Sequence, residues 1–92
     1  MTTEGLENLK KVMRKAIELQ TDTVIVMSAL QRIYYDEEDD LDSDSKEHLL
    51  CANTSARSML DCAFATTNNV RRAYGVEKDN LDKQDNDEAR IE

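Results

Sequence analysis

The fold is decided by residues 49–74, LLCANTSARSMLDCAFATTNNVRRAY, in which small and apolar side chains recur at alternating spacings of three and four. This spacing places them on one face of an α-helix, because a helix turns once in about 3.6 residues. The predicted face consists of Leu49, Ala52, Ala56, Met59, Ala63, Thr66, Val70 and Ala73. Half of these positions are alanine, so we expect a thin seam that a second helix can approach closely.

The ends of this helix carry boundary signals. Asp44 is an N-cap residue type, and Glu47 three positions later completes the pattern of a capping box. Gly75 can adopt the left-handed conformation that ends many helices. The sequence therefore predicts a helix over residues 44–74.

A second helix is predicted upstream, over residues 4–35. Its apolar face consists of Leu6, Leu9, Met13, Ala16, Ile17, Val24, Met27, Leu30 and Tyr34. The run TDTVIV at 21–26 is its weak point, because β-branched residues slightly disfavour a helix and Thr or Asp can cap a new one. A kink is one expectation there. A strand is the alternative, although the chain offers no second strand to pair with it.

Both helices carry apolar side chains beyond one shared seam. These residues are Val12, Leu19, Val26 and Ile33 on the first helix, and Leu50, Leu60, Phe64 and Tyr74 on the second. The fold class is therefore all-α: a long antiparallel helical hairpin over residues 1–76 with an acidic loop at 36–43. The surplus apolar edges predict that two hairpins pair into a four-helix bundle as a homodimer, or that one docks on another protein.

Charge is segregated along the chain. Residues 36–44 contain seven acidic and no basic residues, and residues 77–92 contain seven acidic and three basic ones, although the whole chain carries −8. The helical body is therefore slightly basic, and we expect the acidic 77–92 tail to be mobile. The predicted partner-binding carboxylates are Asp36, Glu37, Glu38, Asp39, Asp40, Asp42 and Asp44.

Residues 36–47 also place acids at the ligand positions of a calcium-binding EF-hand. However, Leu41 stands where the sharp turn requires glycine, and Ser43 stands where an apolar residue is usual. Acidic residues fall at alternate positions easily in a run of this composition. A solvated acidic linker with Leu41 on the core is the expectation, and a calcium loop or a weak cation site is the alternative.

Catalytic groups are sparse. His48 is the single histidine and Asp61 has an ordinary helix-surface neighbour in Arg57, so neither resembles an oriented acid, base or nucleophile activator. Cys51 and Cys62 are too far apart on one helix to bridge and are expected to be buried thiols. We expect no enzyme activity and no cofactor.

Nucleic acid is not the expected partner. A basic edge is formed by Lys10, Lys11, Arg14, Lys15, Arg71 and Arg72. It lacks neighbouring aromatic side chains for base stacking, and the chain is acidic overall. A solubilising face or a protein contact is favoured for this edge.

The remaining hypothesis is a small regulatory or inhibitory module that binds a protein with a basic surface, as inhibitors encoded by phages or other mobile elements do to host enzymes. The alternatives are an acidic mimic of nucleic acid and a structural assembly subunit. The sequence has no apolar run long enough for a bilayer and no leader pattern at Met1, so we expect a cytoplasmic protein without membrane contact.

Overall fold

A computed structural model describes the backbone of residues 1–91 and the side chains of residues 1–85. It contains helix α1, Thr3–Asp36, and helix α2, Ser43–Ile91, with no strand within residues 1–91. The two helices pack against each other in a hairpin measuring 76 × 14 × 14 Å. The predicted all-α helical hairpin is therefore confirmed.

Helix α1 is continuous through the segment that looked weakest in the sequence. The hydroxyl of Thr23 donates a hydrogen bond to the carbonyl of Leu19 at 2.7 Å, and Thr23 is only 3% exposed. The strand considered for residues 21–26 is therefore wrong, because the whole segment is α-helical. The small helical penalty of β-branched residues is outweighed by burial of this turn against α2.

Helix α2 differs from prediction at both ends. It begins at Ser43, so Asp44 lies inside the first turn, where its charge favours the helix dipole, and is not the N-cap. It also continues through Gly75 to Ile91, and Gly75 has no positive φ. The predicted stop after Tyr74 is wrong because Gly75 keeps a helical backbone without the left-handed turn of a helix stop, and Glu77 beyond it still contacts the Met1 ammonium.

The seam between the helices follows a heptad pattern, with half-buried and buried side chains three and four residues apart. In α1 the seam residues are Leu6, Leu9, Met13, Ala16, Gln20, Thr23, Met27, Leu30 and Tyr34. In α2 they are Lys46, Leu49, Asn53, Ala56, Leu60, Ala63, Thr67, Val70, Tyr74, Glu77 and Leu81.

The predicted face of α2 is thus half correct. The row from Leu49 to Val70 at seven-residue intervals lies in the seam, but Ala52, Met59 and Thr66 are exposed. The seam instead uses the row that contains Leu60 and Tyr74. This row was not predicted from the sequence because two of its members, Asn53 and Thr67, are polar. Both rows have the same three-and-four spacing relative to the shared row, so periodicity alone cannot choose between them.

Three contacts across the seam show the antiparallel arrangement. The Gln20 side-chain amide donates to the Thr67 hydroxyl at 2.6 Å near the middle. The Lys10 ammonium lies 5.7 Å from the centre of the Tyr74 ring, and the Met1 ammonium lies 3.3 Å from a Glu77 carboxylate oxygen. The N-terminus of α1 is therefore level with Glu77, and α2 extends past it.

The core is thin. Among the described side chains, the buried hydrophobic ones are Leu6, Ala16, Ala56 and Ala63. Three of these four are alanine, which allows close helix contact but contributes little apolar burial per residue. Much of the apolar surface of the chain consequently remains outside the seam.

Candidate interaction surfaces

The acidic tip of the hairpin comprises the seven acidic residues at positions 36–44. All seven side chains are exposed. The backbone around them is held in a turn, because the amides of Asp40 and Leu41 donate to the carbonyl of Glu37 at 3.0 and 2.9 Å. Leu41 is half-buried, in agreement with the expected anchoring of the loop. The tip therefore presents its carboxylates on an ordered turn.

One side of the acidic tip is unfavourably placed for helix stability, since Asp36 lies at the C-terminal end of α1, whereas Asp44 favours the dipole of α2. The last turn of α1 contains Asp36 and no basic residue, and no ion pair within residues 1–85 involves the tip. A negative charge at a helix C-terminus opposes the helix dipole, typically by about 0.3–1 kcal/mol. The acidic residues from Asp36 to Asp42 form no ion pair within residues 1–85, and their concentration at the turn points to a role outside the fold.

The geometry of the tip does not support a calcium loop. Residues 37–42 are the part of the EF-hand-like segment that lies between the helices, and residues from Ser43 onward are helical. Within the described part of the chain, no group of three or more His, Cys, Asp or Glu side chains is placed to hold a metal ion. The acidic residues point into solvent and do not converge.

One long flank of the hairpin is apolar, and we call it the groove face. It consists of Val12, Leu19, Val26 and Ile33 of α1 with Ala52, Met59, Thr66 and Ala73 of α2. Its α1 row is 45–50% exposed, and Met59 is 52% exposed. Leu19 and Met59 line a continuous shallow groove between the two helices.

The groove face is nearly free of charge. Beside the α2 row, the next row outward is His48, Ser55, Cys62, Asn69 and Val76, which contains no Asp, Glu, Lys or Arg. Lys15 and Asp22 are the charged residues that line the groove within the described residues, and both belong to α1. An uncharged strip of this length on a protein with 35% charged residues is typical of a contact surface.

The opposite flank is mixed. Ile17, Val24, Leu50 and Phe64 are 43–53% exposed there, but basic residues such as Arg57 interrupt them. Phe64 and Val24 line a small open hollow on this side. This flank is less apolar than the groove face.

The predicted apolar edge is therefore divided among three places. Val12, Leu19, Val26 and Ile33 lie on the groove face, and Leu50 and Phe64 lie on the opposite flank. Leu60 and Tyr74 are half-buried in the seam and do not form an outer edge. The α2 half of the groove face was not predicted, because the sequence pattern places those residues in the seam. The sequence did contain a signal for this surface, because the row of α2 from His48 to Val76 contains no Asp, Glu, Lys or Arg.

The residue types that most often serve in catalysis lie on the surface of α2 within residues 1–85. His48 and Asp61 are exposed on the surface of α2. Cys51 and Cys62 are free and exposed, so the expected burial of the two thiols is wrong, although they do not pair, as predicted. Both cysteines are exposed because neither belongs to the α2 rows that form the seam.

The basic edge of α1 is partly engaged in local pairs. Lys15 lies 3.0 Å from Glu18, and Lys10 lies 3.3 Å from Glu7. The hydrogen bond that the Lys10 ammonium donates to the Glu7 carboxylate, together with the contact to Tyr74, raises the pKa of Lys10 above its ordinary value. These contacts are what a solvated helix surface makes.

Among the described residues, neither helix has a stretch that is long and apolar enough to cross a membrane. No protein-family model matches the chain, and no similar protein was found among curated proteins or solved structures.

Proposed function

We propose that this protein is a small regulatory or inhibitory module that acts by binding another protein and not by catalysis. The observation that carries the proposal is the imbalance between surface and core. Thirteen large hydrophobic side chains are exposed, against four buried hydrophobic residues, within residues 1–85. Exposed apolar surface of this extent favours association. It supports both the predicted pairing of hairpins into a four-helix bundle and the binding of a different protein.

The acidic tip is the part of the module that we assign to a basic surface of the partner. Its seven exposed carboxylates lie at one end of a rod 76 Å long. Such a concentration of one charge attracts a basic surface from a distance and increases the association rate. The unfavourable charge of Asp36 at the C-terminal end of α1 further supports a binding role.

The charge distribution favours this proposal over mimicry of nucleic acid. A mimic needs carboxylates spaced along one long surface. Here the middle of the rod carries the uncharged groove face, whereas acidic residues concentrate at the tip and after Glu77. A local acidic contact is therefore better supported than a full-length mimic.

The test compares two variants that lose equal charge. The tip variant is Glu38→Gln, Asp39→Asn, Asp40→Asn, and its control is Asp79→Asn, Asp82→Asn, Asp85→Asn; all six side chains are exposed. Affinity capture with the unaltered protein from its source cell identifies the partner, whose binding to both variants is then measured at increasing salt.

The tip variant should bind about tenfold more weakly and show a flatter salt dependence, whereas the control should bind as the parent does. Equal binding by parent and tip variant would remove the tip from the contact. Equal weakening by both variants would show an effect of net charge and not of the tip.

A further inference from the structure

We propose that the groove face is covered by a second copy of this chain, and that α1 of one copy runs antiparallel to α1 of the other with Leu19 at the twofold axis. This assignment goes beyond the proposed function, because it concerns self-association through one face and leaves the acidic tip free. It rests on the size of the groove face, on Lys15 and Asp22 beside it, and on the pairing of its apolar side chains.

The size of the groove face meets the requirement of a dimer. Val12 and Ile33 are 21 residues apart, which at about 1.5 Å per residue makes the face about 32 Å long. Two adjacent helices make it about 20 Å wide. Burying it against an identical face would remove about 1,200 Å² in total, the lower limit for a specific stable interface.

The two charged residues of the groove decide the orientation. Lys15 and Asp22 lie seven residues apart along the same side of α1. In an antiparallel contact centred near Leu19, Lys15 meets Asp22 of the second copy, and twofold symmetry repeats the pair. A parallel contact would instead bring lysine against lysine and aspartate against aspartate, which is unfavourable.

The same alignment matches apolar side chains to each other. In α1 it sets Val12 against Val26 of the second copy, and these residues are 48% and 50% exposed in the hairpin. The level of Leu19 in α2 is given by Met59, because these two residues together line both parts of the groove. Antiparallel α2 helices centred there bring the two copies of Met59 close together, and Met59 is 52% exposed in the hairpin.

Disulfide trapping tests the axis. The two native cysteines are exposed, so the experiment uses the full chain with Cys51→Ser and Cys62→Ser. Adding Leu19→Cys should give a cross-linked dimer under mild oxidation, because the two copies of position 19 are adjacent. Val12→Cys is the matched control, since its two copies would be about 20 Å apart along the axis. Equal cross-linking of the two variants would overturn the alignment.

Charge exchange tests the orientation by a second route. Lys15→Glu or Asp22→Lys alone should weaken dimerisation in sedimentation by about tenfold, because each change makes two contacts repulsive. The double exchange should restore it. Failure of restoration would overturn the paired contacts, and circular dichroism of each variant checks that the hairpin remains folded.

The failure of this proposal is distinguishable from failure of the proposed function. The tip variant should remain dimeric, and Leu19→Asp should become monomeric without losing helix, because Leu19 is 45% exposed in the hairpin. If the parent chain sediments as a monomer over a 100-fold range of protein concentration, the proposed dimer is wrong. The groove face would then be open to a different protein, and the tip assignment would stand unchanged.

Discussion

The continuity of α2 through Gly75 can be tested by one substitution, Gly75→Ala. The backbone there is helical without positive φ, and an added Cβ would meet nothing within 4 Å. Alanine is favoured over glycine inside a helix by about 1 kcal/mol. No new contact or clash alters this value, so we expect Gly75→Ala to raise the free energy of unfolding by about that amount.

The expected shift is large enough to measure. For a chain of this size, 1 kcal/mol corresponds to a rise in Tm of about 4–8 °C. Circular dichroism at 222 nm would follow thermal unfolding, and urea unfolding at constant protein concentration would give the free energy independently. Constant concentration matters because self-association also raises Tm.

The sign of the change decides between two structures. If α2 stopped at Gly75 in a left-handed conformation, alanine would cost about 1–2 kcal/mol, and Tm would fall. A fall would therefore refute the continuous helix. Gly5→Ala is the matched control, because its Cβ would lie 2.7 Å from Cγ of Met1 and the propensity gain should be reduced or lost.

Three further predictions concern the seam, the acidic tip and the surface of α1. Thr67→Val should destabilise the hairpin by about 1–3 kcal/mol in urea unfolding, because the Gln20 amide loses its 2.6 Å partner; an unchanged midpoint would contradict this contact. Asp36→Asn should stabilise by about 0.3–1 kcal/mol at low salt and by less at high salt, because it removes a negative charge at the end of α1. Since Glu7 raises the pKa of Lys10, the associated stability should be complete below pH 10.5 and lost as the pH passes the raised value; Glu7→Gln should return the NMR titration of Lys10 toward 10.5, and no change would exclude the pair.

Hydrophobic spacing was sufficient to predict two helices, their antiparallel pairing and the position of the acidic tip. It could not choose the α2 row that completes the seam, because the row with Met59 is more apolar than the row with Asn53 and Thr67. Which row faces α1 depends on the summed contacts along both helices, and these are nonlocal. The position of Gly75 was misjudged for the same reason, since a local stop signal was opposed by tertiary contacts.

The candidate surfaces were predicted unevenly. The acidic tip is visible in the sequence, because seven acids in nine positions between two helices can only lie at the turn. The α1 half of the groove face can also be predicted from the sequence, because Val12, Leu19, Val26 and Ile33 recur at every seventh position. The α2 half required knowledge of the seam, because Met59 and Thr66 become surface residues only after Leu60 and Thr67 have been assigned to the interior.

The hydrogen bond between Gln20 and Thr67 restricts how the two helices can slide. A repeating apolar seam tolerates displacement by one heptad, because each layer resembles the next. Displacement by seven residues would place Gln20 opposite Leu60 or Tyr74 in place of Thr67, and its amide would lose a hydroxyl partner. The pair of Gln20 and Thr67 thus favours one alignment of α1 against α2 over others that bury similar apolar surface. The same alignment keeps the acidic turn between the helices short.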